Sequence, residues 1–277
     1  LVLDLLALFG RYLAGMFFKL AEMIHEEATR SGVTLVWGFP NQSSAPGFIK
    51  RLGWREIGTV PGLMLVLDTR HLLRPGSLVQ YLRSGLLFRN WRIALHAAVA
   101  LVYHPKRKRR GTNILFNRVS AFDNRADSLW QKASPQFKLA AARTSEYLNW
   151  RYASNPDGYT IFVAETGDEL LGFIVLRVGK PTADAGAIVD LLTLPGQEPV
   201  IQEMVAAAAD FFRRQSVSVV YSYILDEEYY QALRKCGFQT MDSRLILAVR
   251  ANLPVETETW FADPESWHVA FGDSDGI

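Results

Sequence analysis

The sequence holds a single cysteine among its 277 residues, Cys236, so no disulfide can form within the chain. Such sparse cysteine use is typical of proteins from a reducing compartment, and we expect a cytoplasmic location. An excess of one charge sign is also absent, because 30 Lys and Arg stand against 28 Asp and Glu, a formal net charge of +2. Binding of nucleic acid through bulk charge is therefore not expected.

Long apolar runs and metal-binding patterns are missing as well. The best candidate for a membrane segment, 86–103, is interrupted by Arg89, Arg92 and His96, and its longest clean run of ~11 residues is well short of the roughly 20 that a spanning helix needs. We expect no transmembrane segment, and no signal peptide in the short apolar stretch 1–7. The five histidines are scattered without zinc spacing, so no metal is expected.

What the sequence does contain is the pattern of an α/β protein. Hydrophobic residues make up 49% of the chain, enough to bury a sizeable core. Apolar periodicity predicts helices at 16–31, 124–133, 144–152, 199–215 and 227–236. It predicts strands at 1–7, 33–37, 59–68, 159–166, 170–178, 186–193, 217–223 and 243–250, with a hairpin turn at 167–169. Between the two groups lies a helical linker, 71–112, that ends in a basic run at 106–110.

An internal repeat relates the two halves at a shift of 184 positions, without a gap. Val33–Trp37 falls on Val217–Tyr221, and Gly53-Trp54 falls on Gly237-Phe238. Each copy reads as helix, buried strand, short helix, Gly-aromatic pair and strand, which indicates a duplicated domain. The second copy has a helical region and a β-hairpin before this unit, so we expect the first copy to be incomplete at its amino end.

Several stretches resemble the GNAT superfamily of N-acetyltransferases, in particular its tandem Eis-like and polysaccharide-biosynthesis-associated members. The first copy contributes stretches 15–22, 37–41 and 48–54, and the second contributes 147–152 and 237–238. The resemblance implies two α/β (α+β) domains with mixed central sheets flanked by helices. It also implies acetyl-CoA as co-substrate and a small amine or amino sugar as acceptor.

The resemblance implies a cofactor site in the first copy. Members of this superfamily bind the CoA pyrophosphate at a loop that opens a helix, where free backbone N–H groups point at the phosphates. We expect this loop at Gly10–Gly15, opening a helix at Met16. The expected cofactor-binding residues are Arg11, Tyr12, Leu13, Ala14, Gly15, Met16, Phe17 and Asn41, although Asn41 reads equally well as a turn former.

The catalytic residues are harder to place by the resemblance. Asp4 and Asp190 lie on the strands that flank the expected openings, and we expect them to be the candidate bases. The tyrosine that the superfamily often carries four residues before the Gly-aromatic pair is Ile49 in the first copy and Leu233 in the second. The nearby Tyr229 and Tyr230 read better as packing or surface aromatics.

In the second copy the loop equivalent to the phosphate site, 193–199, holds two prolines and an acidic residue. We expect it not to bind CoA in the usual way, because proline has no N–H to donate. The acidic tail that begins at 253 ends in Trp267-His268 and Gly272–Asp275, similar to the ending of some tandem GNAT proteins. It reads as a docked surface tail or as a segment near the acceptor site.

The expected domains are 1–70, the second half of a first GNAT-like domain; 71–112, the linker; 113–252, a second GNAT-like domain; and 253–277, the acidic tail. The expected function is an acyl-CoA-dependent N-acetyltransferase. Two alternatives stay open. One is a non-catalytic GNAT-like scaffold, and the other is a FemABX-like aminoacyl transferase of envelope or polysaccharide synthesis, which the basic run favours.

Overall fold

The structure is a computed structural model that describes residues 2–68, 114–179, 182–252 and 259–274. The predicted linker 71–112 and its basic run lie outside the described residues. The helices are α1 Val2–Arg30, α2 Ala45–Arg51, α3 Arg125–Ala133, α4 Ser145–Leu148, α5 Glu198–Arg214 and α6 Glu227–Lys235. The strands are β1 Leu35–Gly38, β2 Arg55–Thr59, β3 Gly62–Val66, β4 Leu115–Val119, β5 Leu139–Ala140, β6 Tyr159–Thr166, β7 Glu169–Val178, β8 Ala185–Thr193, β9 Val219–Tyr223, β10 Gln239–Met241, β11 Ile246–Ala251 and β12 Trp267–His268.

The amino-terminal prediction is wrong. The expected strand 1–7 and the expected loop Gly10–Gly15 are both part of one helix, α1, which runs from Val2 to Arg30. The first thirty residues contain no proline, and an isolated glycine lowers helix stability by only about 1 kcal/mol. A short apolar run fits a strand and a helix equally well, and here the helix is the outcome.

The chain forms two compact units, and both are discontinuous in sequence. Unit 1 consists of Leu1–Val60 and Ser243–Ser266, and unit 2 consists of Pro61–Asp242 and Trp267–Ile277. The sequence predicted contiguous domains instead. The difference arises because a strand near the end of each half belongs to the sheet of the other unit.

Unit 2 is built on a seven-stranded mixed sheet in the order β10-β3-β9-β8-β7-β6-β4. Its neighbours are antiparallel except for β8 and β9, which run parallel. Helices α5 and α6 pack on one face through a core that includes Ile201, Phe212 and Leu233. Helix α3 and the turn after α4 pack on the other face, around Phe173. The predicted hairpin is confirmed, and its turn at Gly167 has the left-handed φ of 57° that favours glycine.

Unit 1 contains a three-stranded sheet in the order β1-β11-β2, in which both outer strands are antiparallel to β11. Its core is small and aromatic. Trp54 and Leu52 are buried with Ala248, and Phe18 and Phe48 pack against them. The Gly-aromatic pair of the first copy thus supplies the central ring of this core.

The predicted repeat has a counterpart in the elements. Strands β1, β2 and β3 begin 184 positions before β9, β10 and β11, and helices α1 and α5 end at equivalent residues. In unit 2, β3 lies between β10 and β9, and in unit 1, β11 lies between β2 and β1. The last strand of each repeat copy, β3 in the first and β11 in the second, therefore lies at the equivalent position in the sheet of the other unit. Where the repeat expects a counterpart of β8, α1 continues as a helix.

Most of residues 267–274 are buried, and the prediction of a docked surface tail is wrong for this segment. Trp267, His268, Val269 and Ala270 are each at most 2% exposed. This segment pairs in parallel with β5 and forms an antiparallel bridge from Ala270 to Ile224. Phe271 of the same segment packs against the core of unit 2.

Candidate functional site

The candidate site is the place in unit 2 where two parallel strands stop pairing. Strand β8 pairs with β9 only from Ala185 to Ile188, although β8 continues to Thr193. Beyond this point the chain that follows β9 bonds to another partner, because the Leu225 N–H donates to the Val269 carbonyl at 3.0 Å. We call the space between the two strands beyond Ile188 the opening, and residues 267–274 the tail segment.

A β-bulge in β8 determines which side chain lies at the opening. Val175 on β7 is paired with Asp190, whereas the next residue, Leu176, is paired with Ile188. Val189 is therefore the extra residue, and the alternation of faces is interrupted there. As a result Asp190 contacts the same layer of unit 2 as Val189, the layer that contains Tyr152.

Asp190 belongs to a buried cluster of four polar side chains, which we call the Asp190 cluster: Arg143, Tyr152, Asp190 and Asp273. The Tyr152 hydroxyl donates to Asp190 Oδ2 at 2.9 Å, and the Leu191 N–H donates to Asp190 Oδ1 at 2.9 Å. Arg143 Nη2 lies 2.6 Å from Asp273 Oδ2 and 3.5 Å from Asp190 Oδ1. One buried guanidinium thus holds two carboxylates that are 83 positions apart in the sequence.

The charges of this cluster are reflected in its pKa values. Burial alone would lower the pKa of Arg143, but the carboxylates of Asp190 and Asp273 raise it above its ordinary value, so Arg143 stays charged. Burial, followed by the same two carboxylates, raises the pKa of Tyr152 well above 10. Tyr152 is therefore a hydrogen-bond donor to Asp190 at neutral pH and does not ionise there.

The tail segment lies against the opening and is held by two arginines. Besides the Arg143–Asp273 pair, Arg151 Nε donates to the Gly272 carbonyl at 2.9 Å and Arg151 Nη2 donates to the Ser274 carbonyl at 2.7 Å. Arg151 lies on a π-helical turn, Asn149–Ala153, that continues α4. Such turns are rare and are found frequently at functional sites.

His268 of the tail segment is fully buried between two rings. Its imidazole stacks on Phe137 with ring centroids 4.1 Å apart, and it meets Tyr229 edge-on at 5.2 Å. Its Nδ1 lies 3.7 Å from Asp226 Oδ2, which is an ion-pair distance but too long for a hydrogen bond. Neither ring nitrogen has a hydrogen-bond partner.

A lysine and a glutamate meet beside the first turn of α5. Glu198 is the first residue of this helix, and Lys235 Nζ lies 2.8 Å from its Oε1 and 2.9 Å from its Oε2. The hydrogen bond from Lys235 lowers the pKa of Glu198 below its usual range. The acidic residue of the predicted loop is therefore accompanied by a cation that the sequence did not predict.

The predicted cofactor residues of the first copy do not form the expected loop. Asp4, Arg11, Tyr12, Leu13 and Ala14 all lie within α1, and their side chains are outside the described part of the chain. Gly15, Met16 and Phe17 continue the same helix. The prediction of a strand at Asp4 and of a helix start at Met16 is wrong, and a helix interior has no free N–H groups for phosphate.

The remaining predicted residues are in the described structure. Asn41 is a turn residue, because its Oδ1 accepts from the N–H groups of Ser43 and Ser44 at 3.0 and 2.9 Å. Tyr229 is buried, and its hydroxyl accepts from the Thr193 N–H at 3.1 Å, while burial raises its pKa to about 12. Leu233 is fully buried in the core.

Arg143, Tyr152 and Asp273 were not singled out as site residues by sequence reasoning. Tyr152 lies inside a stretch that resembles GNAT proteins, and Asp273 belongs to the Gly-Asp-Ser ending, so each carried a weak signal. Arg143 carried none, because its partner Asp273 is 130 positions away.

The described residues lack a metal-binding cluster and a membrane-spanning helix. No group of three His, Cys, Asp or Glu side chains in these ranges is arranged to hold a metal ion. No helix in the same ranges is both long enough and apolar enough to cross a membrane.

Solved structures similar to this chain include several described as known or probable acyltransferases. A GCN5-related N-acetyltransferase from Anabaena variabilis is 11% identical over 85% of this chain and 50% of that chain, with a TM-score of 0.53. A probable N-acyltransferase from Enterococcus faecalis is 12% identical over 84% and 48%, with a TM-score of 0.49. The N-myristoyltransferase of Saccharomyces cerevisiae is 12% identical over 72% and 51%, with a TM-score of 0.48.

The chain spans about half the length of these structures. No protein-family model and no curated protein matches the sequence. At this level of identity the likeness is one of fold, and it agrees with the mixed sheet, the flanking helices and the parallel strands that part beside a helix. The chain therefore has the fold of the GNAT superfamily, as its sequence motifs predicted.

Proposed function

We propose that this chain is part of an acyl-CoA-dependent N-acyltransferase that transfers an acetyl group to a small amine or amino sugar. The observation that carries the proposal is the opening, where β8 and β9 stop pairing after Ile188 and α5 begins a few residues beyond β8. In the GNAT fold the pantetheine arm of CoA pairs with the strand edge at this position. Among the described residues, unit 2 alone contains both strands.

The polar groups at the start of α5 support a pyrophosphate site of unusual chemistry. Glu198 lies in the first turn of α5, where the helix dipole favours negative charge, and its carboxylate is bonded to Lys235. A pyrophosphate that displaced Glu198 would take over both the helix dipole and the lysine. From the sequence we expected loop 193–199 not to bind CoA in the usual way, because it contains two prolines and an acidic residue. The proposed mode differs from the usual one in that Lys235 would contact the pyrophosphate.

The first test is titration of the full chain with acetyl-CoA in a calorimeter, followed by a thiol-release assay against a panel of small amines and amino sugars. We expect saturable binding, and release of free CoA in the presence of one class of acceptor. Failure of the full chain to bind acetyl-CoA, both as the wild type and with the tail segment released, would contradict the proposal.

A pair of lysine variants locates the site. Lys235→Ala removes the cation beside α5, and we expect it to weaken acetyl-CoA binding about tenfold, the value of one charge-assisted hydrogen bond. Lys132→Ala is the matched control, because Lys132 also pairs with a glutamate on the surface of unit 2, Glu169, at similar exposure. Equal affinities for the two variants would place the pyrophosphate elsewhere.

The second candidate function is a non-catalytic GNAT-like scaffold. A specific observation favours it: the tail segment lies at the opening, and the residue at the position of the superfamily's tyrosine is the buried Leu233. A scaffold would bind no acyl-CoA, whether the tail segment lies at the opening or is released from it. The aminoacyl-transferase alternative depended on the basic run 106–110, which lies outside the described residues.

A further inference from the structure

The tail segment occupies the place at which the proposed acyl-CoA arm would enter. The bond from the Leu225 N–H to the Val269 carbonyl and the bridge from Ile224 to Ala270 are the contacts of an added strand. A pantetheine arm is also an extended chain of amide groups, so it would compete for the same kind of backbone contact. The tail segment thus makes the backbone contacts that a bound pantetheine arm would make.

The polar contacts of the tail segment are incomplete for so buried a segment. Arg143 Nε, Asp273 Oδ1 and both ring nitrogens of His268 are buried without a hydrogen-bond partner. Each such atom opposes docking, since in water it would be solvated. On release of the tail segment these atoms would be hydrated, and their hydration would offset part of the free energy lost with the apolar contacts of the segment.

One residue of the tail segment is packed without spare room. A Cβ atom added at Gly272 would overlap the Tyr152 hydroxyl and lie 3.1 Å from Val189 Cγ1. Both of these neighbours are fully buried. Only a glycine fits here, so the closed position depends on a single small residue beside the Asp190 cluster.

We propose that the tail segment, residues 267–274, is a displaceable internal occupant of the opening in unit 2, held closed by the Arg143–Asp273 ion pair and competing there with the pantetheine arm of acyl-CoA. This inference rests on the proposed function for the identity of the competitor. Release of the segment is a property of the chain itself and is measured without any ligand.

Two variants release the segment by different means. Asp273→Asn removes the carboxylate that Arg143 holds, and Gly272→Ala introduces the overlap with Tyr152 without changing any charge. Hydrogen exchange of the full-length variants is followed by mass spectrometry. We expect the amides of 267–274 to exchange about tenfold or more faster in both variants, while those of β6, β7 and β8 keep their protection.

Rescue and control variants make the result specific. Tyr152→Phe removes the hydroxyl that an alanine at 272 would overlap, whereas the close approaches to Cζ of residue 152 at 3.0 Å and to Val189 Cγ1 at 3.1 Å remain. It should therefore restore part of the slow exchange when combined with Gly272→Ala. Asp242→Asn changes an exposed aspartate of unit 2 and should leave exchange of the tail segment at the wild-type rate. Faster exchange of the tail segment only together with the whole sheet would overturn the proposal, because the segment would then be a permanent part of the core.

Acetyl-CoA is then titrated into the wild type and both released variants. We expect about tenfold tighter binding by the released variants. Equal affinity in the wild type and the released variants would overturn the competition while leaving the proposed function intact. Selective release of the tail segment without binding by any variant would overturn the competition and the proposed function together.

Discussion

At the scale of single residues, Gly15 lies inside α1 and Gly32 lies just after its end, and the two glycines differ in backbone conformation. Gly15 lies inside α1, and a Cβ atom added there would meet nothing within 4 Å. Gly32 follows the end of α1 with a φ of 76°, in the left-handed region that favours glycine. The same substitution should therefore have opposite effects at the two positions.

We predict that Gly15→Ala raises the free energy of unfolding by about 0.5–1 kcal/mol, because alanine loses less backbone entropy in a helix. Gly32→Ala should lower it by a similar amount or more. Chemical denaturation followed by circular dichroism measures both. A loss of stability in Gly15→Ala would instead favour the loop that the sequence suggested at this glycine.

His25 of unit 1 is buried beside the Trp54 indole and the Arg250 guanidinium. Trp54 Nε1 donates to its Nε2 at 3.3 Å, and the Arg250 guanidinium contacts its Nδ1. Burial first, and then the charge of Arg250, lowers the pKa of His25 below 6.5. The imidazole is therefore neutral in the folded chain at pH values where it is protonated in the unfolded chain.

We predict that unit 1 loses stability as the pH falls below about 6.5, through the lowered pKa of His25 in the folded state. The sign follows because the unfolded chain binds the proton first in this window. Above pH 6.5 the contribution is complete and constant. Thermal melting between pH 5 and 7.5 measures how steeply stability depends on pH, and His25→Gln should make this dependence weaker. An unchanged pH dependence in this variant would show that other groups cause it.

Several residue-level features could not be read from the sequence. Asp190 was predicted as a candidate base, and that role stays a prediction; the bulge at Val189 that directs its side chain has no local signal in an apolar strand. The pairing of Arg143 with Asp273 joins positions that no short motif connects. Contacts of this kind depend on the tertiary fold, whereas spacing reports only on neighbours along one element.

At the scale of elements, the packing of β8 against α5 depends on a close approach. A Cβ atom added at Gly186 would lie 2.5 Å from Cε1 and 2.7 Å from Cδ1 of Phe212. Phe212 is fully buried, so its ring cannot move aside without disturbing the core.

We predict that Gly186→Ala destabilises the chain by about 1–3 kcal/mol, the usual effect of overpacking a core. Phe212→Leu alone should also be destabilising, but the double variant should be less unstable than the sum of the two, since each change relieves the other. Urea unfolding of the two single variants and the double variant gives the coupling free energy between positions 186 and 212. Strict additivity would show that the ring and the glycine do not act on each other.

Most elements of the second half were predictable, because their signals are local. The hairpin around Gly167 and the amphipathic helix α5 have turn residues and periodicity within a few positions. The strand predicted at 59–68 corresponds to β3, Gly62–Val66, whereas the preceding strand β2, Arg55–Thr59, was not predicted, and Val60-Pro61 separates the two. A break at a proline fits its missing N–H, which a central strand would need.

At the scale of the whole molecule, the exchange of β3 and β11 was not predictable. The repeat predicted the shared order of the strands β1 to β3 and β9 to β11, but the domains were expected to be contiguous in sequence. Sequence periodicity identifies a strand and its buried face, and it carries no information on which of two equivalent sheets the strand joins.

We predict that Val249→Asp, in the centre of β11, removes hydrogen-exchange protection from β1 and β2 while β6 and β7 keep theirs. Val249 is 1% exposed and pairs with Trp37 and Arg55, so its replacement buries an unpaired charge in unit 1. Thr240→Asp, at an exposed position of β10, is the control. Loss of protection throughout the chain would show that the two units unfold as one.

The exchanged strands also affect how the chain is completed during synthesis. Strands β1 and β2 leave the ribosome early, but β11, which joins them, follows roughly 190 residues later, a delay of about 10–40 seconds at ~5–20 residues per second. Throughout that interval two strand edges and the aromatic side chains beside them lack their partner. We expect the nascent chain to engage a holding chaperone during this time, and a slower rate of translation to lower the yield of native protein.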